Sequence, residues 1–300
     1  MIPVGKSETI GLIGIGVMGL TTALKLKENG WPLKVCDVAP AALERARQSG
    51  LEVVGSPAEA AAGSRAVLML LPGPKEIEEA VTGPEGCLTT AEADLIMVDL
   101  ATSDPNATRA MAGQLEEKRI HYLDAPILGR PGTVGRWTLP VGGNPGALEA
   151  VRPVLADLAA NIIHLGGSGQ GHTAKLLNQL MFGAINAVTA EMMALAGRVG
   201  LDRGRLFELI SGSQAATVSG LFLELGRRVS EDHYQDPTFT IDLLQKDTRL
   251  ALALARSAGV EPGLAQAVEA LNELGRAQGL GAEDTSALWR AVDRTWGPPA

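Results

Sequence analysis

A glycine-rich segment near the N-terminus constrains the fold of this chain more than any other feature. Gly14, Gly16 and Gly19 form the pattern Gly-x-Gly-x-x-Gly, which closes an apolar run at residues 9–14 and opens a helical pattern at residues 18–29. In such a unit the first glycine permits a tight turn, the second lets the backbone approach a pyrophosphate, and the third lets the helix pack on the strand. The segment therefore predicts a strand–turn–helix unit that binds a dinucleotide, although a glycine turn that serves only packing has the same pattern.

An acidic residue follows at the position where the adenosine ribose of such a ligand would lie. Asp37 ends a second apolar run, 18 residues after Gly19, and the next three residues carry no cation. A carboxylate there accepts hydrogen bonds from ribose hydroxyls and repels a 2′-phosphate. Arg45 and Arg47 on the following helix leave NADP less favoured rather than excluded. We therefore predict NAD as the cofactor, held by Gly14, Gly16, Val17, Met18, Gly19 and Asp37.

The rest of the chain has two different patterns, which predict two domains. Short apolar runs alternate with helical patterns in the first half, at residues 9–14, 33–37, 66–70 and 95–99, and further strand candidates lie at residues 121–124, 138–141 and 162–165. Such runs are typical of parallel strands that are buried on both faces of a doubly wound sheet. After the glycine-rich break GGSGQG only helical patterns follow. We predict an α/β protein with an N-terminal Rossmann domain (residues 1–165) and an all-helical domain for substrate binding and oligomerisation (residues 166–300).

Composition excludes several classes of function. The chain has 300 residues and a net charge of −8 without a long Lys/Arg run, which argues against binding nucleic acid or an anionic membrane. Its two cysteines and four histidines show no metal-ligand spacing, so we predict no metal site. No apolar run reaches the roughly 18 residues of a membrane span, and no signal peptide is recognisable. We expect a cytoplasmic protein that has no membrane partner.

Six further segments resemble one family, the β-hydroxyacid dehydrogenases, which includes 3-hydroxyisobutyrate dehydrogenase, tartronate semialdehyde reductase and 6-phosphogluconate dehydrogenase. The glycine segment GLIGIGVMG resembles the opening of that family. The others, in chain order, are MLLPGPKEIEEAVTGPEG, VDLATSDP, DAPILGRPG, GQGHTAKLLNQ, FTIDLLQKDTRLAL and GLGAEDTSAL. The resemblance covers nearly the whole chain, with its motifs in order and at plausible spacing.

The likeness implies a catalytic pair on the long helical pattern at residues 170–198. Lys175 matches the lysine of the family's G-x-G-x-x-x-K-x-x-N motif, and Asn178 matches its asparagine. Reduction of a carbonyl by hydride needs a proton on the oxygen, which a lysine in a partly desolvated site can supply or remove. Asn178 is one helical turn away, where its amide can orient the ammonium or a substrate hydroxyl. A solvated lysine and a structural asparagine are the alternative.

Other positions gain a role only through the resemblance. Lys246 would reach the cofactor or the substrate carboxylate from the helical domain, unless it forms a surface pair with Asp247. Thr102 would lie beside the nicotinamide, although its hydroxyl can equally cap the helix that begins near Asp104. Leu71 and Pro72 would line the cofactor, or they form an ordinary turn after a strand.

The predicted substrate-binding segment departs from the family pattern. Leu128 replaces the usual serine, and Arg130 replaces the second glycine of the pair, while Gly129 is retained. Leu128 cannot donate a hydrogen bond through its side chain. Arg130 can offer a bidentate guanidinium to a carboxylate, or it is a loop residue that faces water. We predict that substrate binds at Leu128, Gly129 and Arg130 together with Lys175 and Asn178.

The resulting functional hypothesis is an NAD-dependent oxidoreductase acting on a small 3-hydroxy acid or its semialdehyde. Lys175 is the predicted general acid and base, and the resemblance implies a homodimer or homotetramer. One alternative is an imine or other carbonyl reductase on the same scaffold, but such enzymes usually lack the lysine. A second alternative is an NAD-binding sensor without turnover.

Overall fold

The computed structural model describes residues 1–213 and 219–296. These residues form eight strands: β1 Thr9–Ile13, β2 Leu33–Cys36, β3 Glu52–Val53, β4 Ser64–Met69, β5 Ile96–Asp99, β6 His121–Asp124, β7 Trp137–Gly142 and β8 Ala159–Gly166. They also form twelve α-helices: α1 Val17–Glu28, α2 Pro40–Gln48, α3 Pro57–Ala61, α4 Pro74–Thr82, α5 Pro105–Glu116, α6 Pro145–Ala156, α7 Gln170–Arg198, α8 Arg203–Ser211, α9 Gly220–Ser230, α10 Ile241–Ser257, α11 Gly263–Ala277 and α12 Leu288–Thr295. The predicted class, a Rossmann-type sheet followed by helices, is confirmed.

The described strands join in one sheet, in the order β3-β2-β1-β4-β5-β6-β7-β8. The pairs from β3 through to β6 are parallel, whereas β7 runs antiparallel to β6, and β8 is parallel to β7. The sheet is thus mostly parallel, as predicted, and β7 and β8 are the strands that run opposite to the others. The physical reason is the connection between β6 and β7, which contains a 3₁₀ turn at Pro131–Thr133 but no α-helix that could carry the chain back to the amino end of β6.

Both faces of the sheet are buried, as the continuous apolar runs predict. Successive residues of a strand point to opposite faces. In β4, Leu68 belongs to one buried apolar cluster with Ile10 and Leu12, whereas Val67 and Met69 belong to a second cluster. Helices therefore cover the sheet on two sides, and what remains accessible to a ligand is the edge where the strands end.

The chain divides into two compact units, at residues 1–175 and 176–300. The first contains the sheet. The second contains α8 to α12 and a buried cluster of its own, in which Met193 and Phe222 pack with Leu288. This division lies ten residues after the predicted boundary at residue 165, within α7, so that one helix begins in the first unit and ends in the second.

Helix α7 is unusually long and apolar. By length and composition alone Gln170–Arg198 meets the requirements of a membrane-spanning helix, with a mean hydropathy of 1.4 in its most apolar window. Core helices of soluble proteins meet the same requirements, so this property assigns no membrane. Our expectation that no run is long enough rested on uninterrupted apolar residues, which is a stricter criterion.

Candidate active site

The register of the sheet aligns the ends of five parallel strands. Cys36 pairs with Ile13, Ile13 with Met69, Met69 with Asp99, and Asp99 with Asp124, so β2, β1, β4, β5 and β6 finish in one row. The segments that leave this row carry residues predicted for cofactor and substrate, namely Asp37, Gly14, Leu71, Thr102 and Leu128. Ligands of open α/β sheets bind at this carboxyl edge. The fold thus brings together positions that are distant in the sequence.

The glycine loop fits the close approach of a pyrophosphate. Gly14 has φ +90°, and a Cβ there would lie 2.4 Å from the carbonyl oxygen of Leu70. A Cβ on Gly19 would lie 1.8 Å from the carbonyl oxygen of Gly14, so the helix can pack on the turn only without one. A Cβ on Gly16 would instead meet nothing within 4 Å. Packing therefore explains why residues 14 and 19 are glycines. Gly16 instead faces open space, where a ligand can approach the backbone closely.

The first turn of α1 is also prepared for an anion. Gly16 is its N-cap residue, no side chain caps the helix, and the first turn contains no acidic residue. Val17 and Met18 begin the helix directly behind the open space at Gly16. The N–H groups and the dipole of such a helix end favour a phosphate. These residues fit a bound dinucleotide.

Asp37 is fixed by two backbone hydrogen bonds that the sequence did not predict. One carboxylate oxygen accepts from the N–H of Ile15 at 2.5 Å, and the other accepts from the N–H of Ala39 at 2.8 Å. The carboxylate therefore ties the end of β2 to the glycine loop. Each carboxylate oxygen can accept a second hydrogen bond, so ribose hydroxyls remain possible donors. Val38, the next residue, is 99% exposed.

Three further predicted cofactor residues lie on the loops after β4 and β5. Leu71 packs on the glycine loop, since its Cδ2 is 3.1 Å from the position that a Cβ would take on Gly14. Pro72 follows it and is exposed. Thr102 lies beyond the end of β5, but the N-cap of α5 is Asp104, whose carboxylate accepts from the N–H of Asn106 at 2.8 Å. The capping role that the sequence left open for Thr102 is therefore filled by Asp104.

The predicted substrate segment is shaped by contacts with β7. Leu128 exchanges two backbone hydrogen bonds with Thr138, at 2.9 and 3.1 Å. A Cβ on Gly129 would lie 2.1 Å from the ring of Trp137, whose indole N–H donates to the carbonyl oxygen of Arg130 at 2.8 Å. Gly129 is thus required by the tryptophan ring that packs on it, and the three residues form one fixed turn.

Lys175 lies against this same segment. Its ammonium donates a hydrogen bond from Nζ to the carbonyl oxygen of Ile127 at 2.9 Å. Ile127 directly precedes Leu128, so the structure brings the predicted catalytic lysine and the predicted substrate segment together. Asn178 follows one turn later on α7, where its amide Nδ2 donates to Oε1 of Gln179 at 3.4 Å.

A buried carboxylate that sequence reasoning missed anchors the start of α7. Asp124 is fully buried, and its oxygens accept from the N–H of Gly169 at 2.8 Å and of His172 at 2.9 Å. Burial raises the pKa of Asp124, while His172 and the two N–H donors oppose that rise. Because Lys175 lies three residues after His172, Asp124 fixes the helical turn from which the lysine projects. The motif DAPILGRPG contains this aspartate, but nothing in the sequence shows which helix end it meets.

His172 joins the same buried region to the loop after β5. The hydroxyl of Thr108 donates to the carbonyl oxygen of Asp104, so we assign the proton on Nδ1 of His172 as the donor to Thr108 Oγ1 at 2.7 Å. Nε2 lies 3.6 Å from Oδ2 of Asp99, which accepts from the hydroxyl of Tyr122 at 2.8 Å. Burial, followed by the charge of Asp99, raises the pKa of Tyr122 well above its usual value. His172 is therefore a fully buried core residue.

Lys246 lies in the helical unit, on α10. Its Nζ is 2.9 Å from Oδ1 of Asp247, and the side chains of the two residues are 32% and 2% exposed. The pair with Asp247 that was the alternative for Lys246 is therefore present, although the carboxylate of Asp247 is buried rather than solvated. Among the described residues, no group of three or more His, Cys, Asp or Glu is placed to hold a metal ion.

Comparisons with known proteins agree with this architecture. Residues 9–166 match the family described as the NAD binding domain of 6-phosphogluconate dehydrogenase, and residues 169–292 match the family described as NAD-binding of NADP-dependent 3-hydroxyisobutyrate dehydrogenase. The chain is 30% identical over 294 residues to 2-(hydroxymethyl)glutarate dehydrogenase of Eubacterium barkeri, with 97% of each chain covered. It is 31% identical over 291 residues to 2-hydroxy-3-oxopropionate reductase of Escherichia coli (strain K12), with 95% of this chain and 97% of the relative covered.

A solved structure extends the likeness to three dimensions. Mycobacterium tuberculosis 3-hydroxyisobutyrate dehydrogenase, solved with L-serine, has a TM-score of 0.82 and 26% identity, and the match covers 95% of this chain and 99% of that chain. An NAD(P)-binding sheet followed by this helical unit defines a class of oxidoreductases. The chain belongs to the NAD(P)-dependent β-hydroxyacid dehydrogenase family and is an enzyme of the 3-hydroxyacid dehydrogenase and reductase type.

Proposed function

We propose that the protein interconverts a small 3-hydroxy acid and its semialdehyde with NAD as cofactor, and that Lys175 is the general acid and base. The observation that carries the proposal is the hydrogen bond from Lys175 Nζ to the carbonyl oxygen of Ile127, which fixes the ammonium beside the predicted substrate turn. When bound, the nicotinamide would supply the hydride in reduction and accept it in oxidation. Lys175 would give a proton to the carbonyl oxygen in reduction and remove it from the alcohol in oxidation.

The substrate class follows from what the named relatives have in common. 2-(Hydroxymethyl)glutarate, 2-hydroxy-3-oxopropionate and L-serine each carry a hydroxyl or aldehyde at the carbon next to the one that bears the carboxylate. A substrate of this kind needs a cationic or N–H partner for its carboxylate. Since the side chain of Leu128 donates no hydrogen bond, we assign the carboxylate to Arg130, whose guanidinium can form a bidentate pair with it.

A cofactor-linked screen tests the proposal. Purified protein is assayed with NAD(H) and NADP(H) over small 3-hydroxy acids and aldehyde acids, including larger and aromatic ones, with their amides and cyclic imines as controls. We expect turnover of acids and little turnover of amides. Turnover confined to imines would instead support an imine reductase, and NADH binding without turnover of any compound would support a sensor.

NAD should be preferred over NADP, and Asp37 with Val38 should set that preference. A 2′-phosphate at the end of β2 would bring about two negative charges toward the Asp37 carboxylate, which already accepts two backbone hydrogen bonds. The fully exposed Val38 offers no charged donor. The double variant Asp37→Asn/Val38→Arg should shift the ratio of kcat/KM values toward NADP by at least about tenfold, or about 1.4 kcal/mol.

The measurement is kcat/KM for each cofactor at a fixed substrate concentration. Arg152→Ala is the matched control, because Arg152 lies on α6 beside the strands at the opposite end of the sheet from β2, is paired with Glu149 and should leave the preference unchanged. Wild-type preference for NADP, or an unchanged ratio in the double variant, would show that Asp37 does not set the choice.

The protein should associate into at least a dimer through α7. Leu177, Met181, Val188 and Leu195 recur at steps of four and seven, so they form one stripe on the helix, and all four are exposed. An exposed apolar stripe of this length marks an interaction surface, and a second copy of the same helix offers a complementary one. The oligomer would be the homodimer or homotetramer that the family resemblance implies.

Light scattering at micromolar concentration measures this directly. Val188→Glu/Leu195→Glu should lower the measured mass toward that of the 31.2 kDa monomer. Leu264→Glu, an equally exposed apolar position on α11, should not. A monomeric wild-type protein would contradict the expectation.

A further inference from the structure

We propose that Asp247, a buried residue of α10, is a positioning residue. It fixes which end of the Asn178 amide, the oxygen or the NH₂ group, is presented to substrate. The inference rests on the proposed function, because it assumes that Asn178 belongs to the active site. Hydrogen bonds link Asp247 to Asn178 by way of Gln179. Asp247 acts through Gln179, the neighbour of Asn178 on α7.

The contacts form a chain of three side chains inside the helical unit. Asp247 is 1% exposed, and its Oδ2 accepts from Nε2 of Gln179 at 2.6 Å. Its other oxygen, Oδ1, is 2.9 Å from Nζ of Lys246. Gln179 is also buried, and its Oε1 accepts from Nδ2 of Asn178 at 3.4 Å. A buried carboxylate needs such partners, because an uncompensated charge is costly to bury.

The charge on Asp247 determines the direction of each amide in the chain. An ionised carboxylate can only accept hydrogen bonds, so Gln179 must turn its NH₂ group toward Asp247. Its carbonyl oxygen Oε1 then points the other way, toward Asn178. Because that oxygen can only accept, Asn178 must turn its own NH₂ group toward Gln179. The amide orientation of Asn178 is therefore set by a carboxylate two side chains away.

The consequence is a defined polarity at the active site. With its NH₂ group directed at Gln179, Asn178 presents Oδ1 as the outward group. An amide oxygen accepts hydrogen bonds, so it suits the hydroxyl of an alcohol substrate or the ammonium of Lys175 one turn earlier. Without the charge of Asp247, either amide could rotate, and Asn178 would present a donor for part of the time.

The proposal predicts that exchanging the carboxylate of residue 247 and the carboxamide of residue 179 preserves the direction of the Asn178 amide. Asp247→Asn removes the charge, and Gln179→Glu places two carboxylates in contact. In the double variant Asp247→Asn/Gln179→Glu, the new asparagine amide can donate to the new glutamate, whose second oxygen still accepts from Asn178. Thr248→Val is the matched control. Thr248 is buried next to Asp247, and its hydroxyl forms hydrogen bonds with Leu244 and Asn272. Its loss therefore perturbs the same helical unit without removing a hydrogen bond between Asp247, Gln179 and Asn178.

Side-chain amide NMR tests the orientation without turnover. The NH₂ resonance of Gln179, assigned by its disappearance in Gln179→Glu, should be shifted downfield by the carboxylate. It should move toward the ordinary amide position in Asp247→Asn and stay in place in Thr248→Val. An unshifted wild-type resonance, or one that does not respond to Asp247→Asn, would overturn the proposal even if the enzyme is active on 3-hydroxy acids.

Kinetics with the best 3-hydroxy acid from the screen supply a second readout. Asp247→Asn should lower kcat/KM for the acid by on the order of tenfold, as expected for one misdirected hydrogen bond. Most of this loss should lie in kcat if Oδ1 acts on the reacting hydroxyl. The double variant should recover most of the activity, whereas loss of activity in it at an unchanged Tm would overturn the proposal. Absence of turnover in the wild type would count against the proposed function, and the NMR result would still decide the amide direction.

Discussion

Replacement of Lys175 by alanine is expected to lower kcat by about 100- to 10,000-fold, the usual effect of removing a group that transfers a proton in the rate-determining step. The dissociation constant for NADH should remain nearly unchanged. The reason is positional. Apart from Lys246, the predicted cofactor residues lie after β1, in α1 and on the loops that follow β2, β4 and β5, whereas Lys175 contacts the carbonyl oxygen of Ile127 after β6. Stopped-flow or steady-state assays measure kcat, and quenching of protein fluorescence measures NADH binding.

Two further variants make the test of Lys175 specific. Lys175→Arg retains the positive charge and the hydrogen bond to a carbonyl, but an arginine does not release its proton in proteins, so it should be nearly as inactive as alanine. Lys34→Ala is the matched control, because Lys34 also donates to a backbone carbonyl, that of Ala62, at 2.9 Å. It lies near the amino end of β2, away from the row where the strands finish, and its loss should leave kcat unchanged. Near-wild-type activity in folded Lys175→Ala protein would remove the lysine from the mechanism.

Asp124→Ala is expected to cause the second-largest loss, in stability as well as activity. The change leaves the N–H groups of Gly169 and His172 buried without an acceptor, at about 1–3 kcal/mol each. Because burial raises the pKa of Asp124, the removal of a buried charge offsets part of this cost. We therefore expect the free energy of unfolding to fall by about 2–3 kcal/mol. Release of the first turn of α7 should displace Lys175 and lower kcat by about 100-fold.

Chemical denaturation and kinetics measure the two effects separately. Asn144→Ala is the control, since the side chain of Asn144 likewise accepts from two backbone N–H groups at the start of a helix, but at α6. It should cost about 1 kcal/mol of stability, the usual value for an N-cap, and leave kcat unchanged. If Asp124→Ala proved as active as Asn144→Ala, the start of α7 would not position the lysine.

Local patterns in the sequence were sufficient for the framework of the fold. Residues 95–99 were predicted as a strand, and β5 occupies residues 96–99, because a continuous apolar run between punctuating residues leaves few alternatives. The two-residue strand β3 was missed because it is too short to show any period. The direction of β7 was missed because it depends on whether the chain crosses over by a helix, which its own residues do not encode.

The sequence offered a role only for those residues of the candidate site whose motif assigns one. Lys175 and Gly14 stand in segments whose residue spacing carries the chemistry. Asp124, Tyr122 and Asp247 contact partners far away in the sequence; Gly169, for example, lies 45 positions after Asp124. Burial and hydrogen bonding decide their roles, and neither can be read from residue type alone. The same holds for Gly129, whose requirement becomes visible only when the ring of Trp137 packs on it.

The helix shared by the two compact units affects how the protein can be divided or recombined. A fragment that ends at residue 165, where the glycine-rich break begins, would contain Asp124 and Thr108 but lack the N–H groups of Gly169 and His172 and the imidazole of His172 that bond to them. In a chimera with a relative, a junction at that break would join a foreign helix start to this buried cluster. A junction after Lys175, at the division between the two compact units, keeps the buried cluster and the lysine from one parent and takes the helical unit from the other. Libraries that exchange helical units should therefore be joined within α7, in register with its turns, rather than at the loop that precedes it.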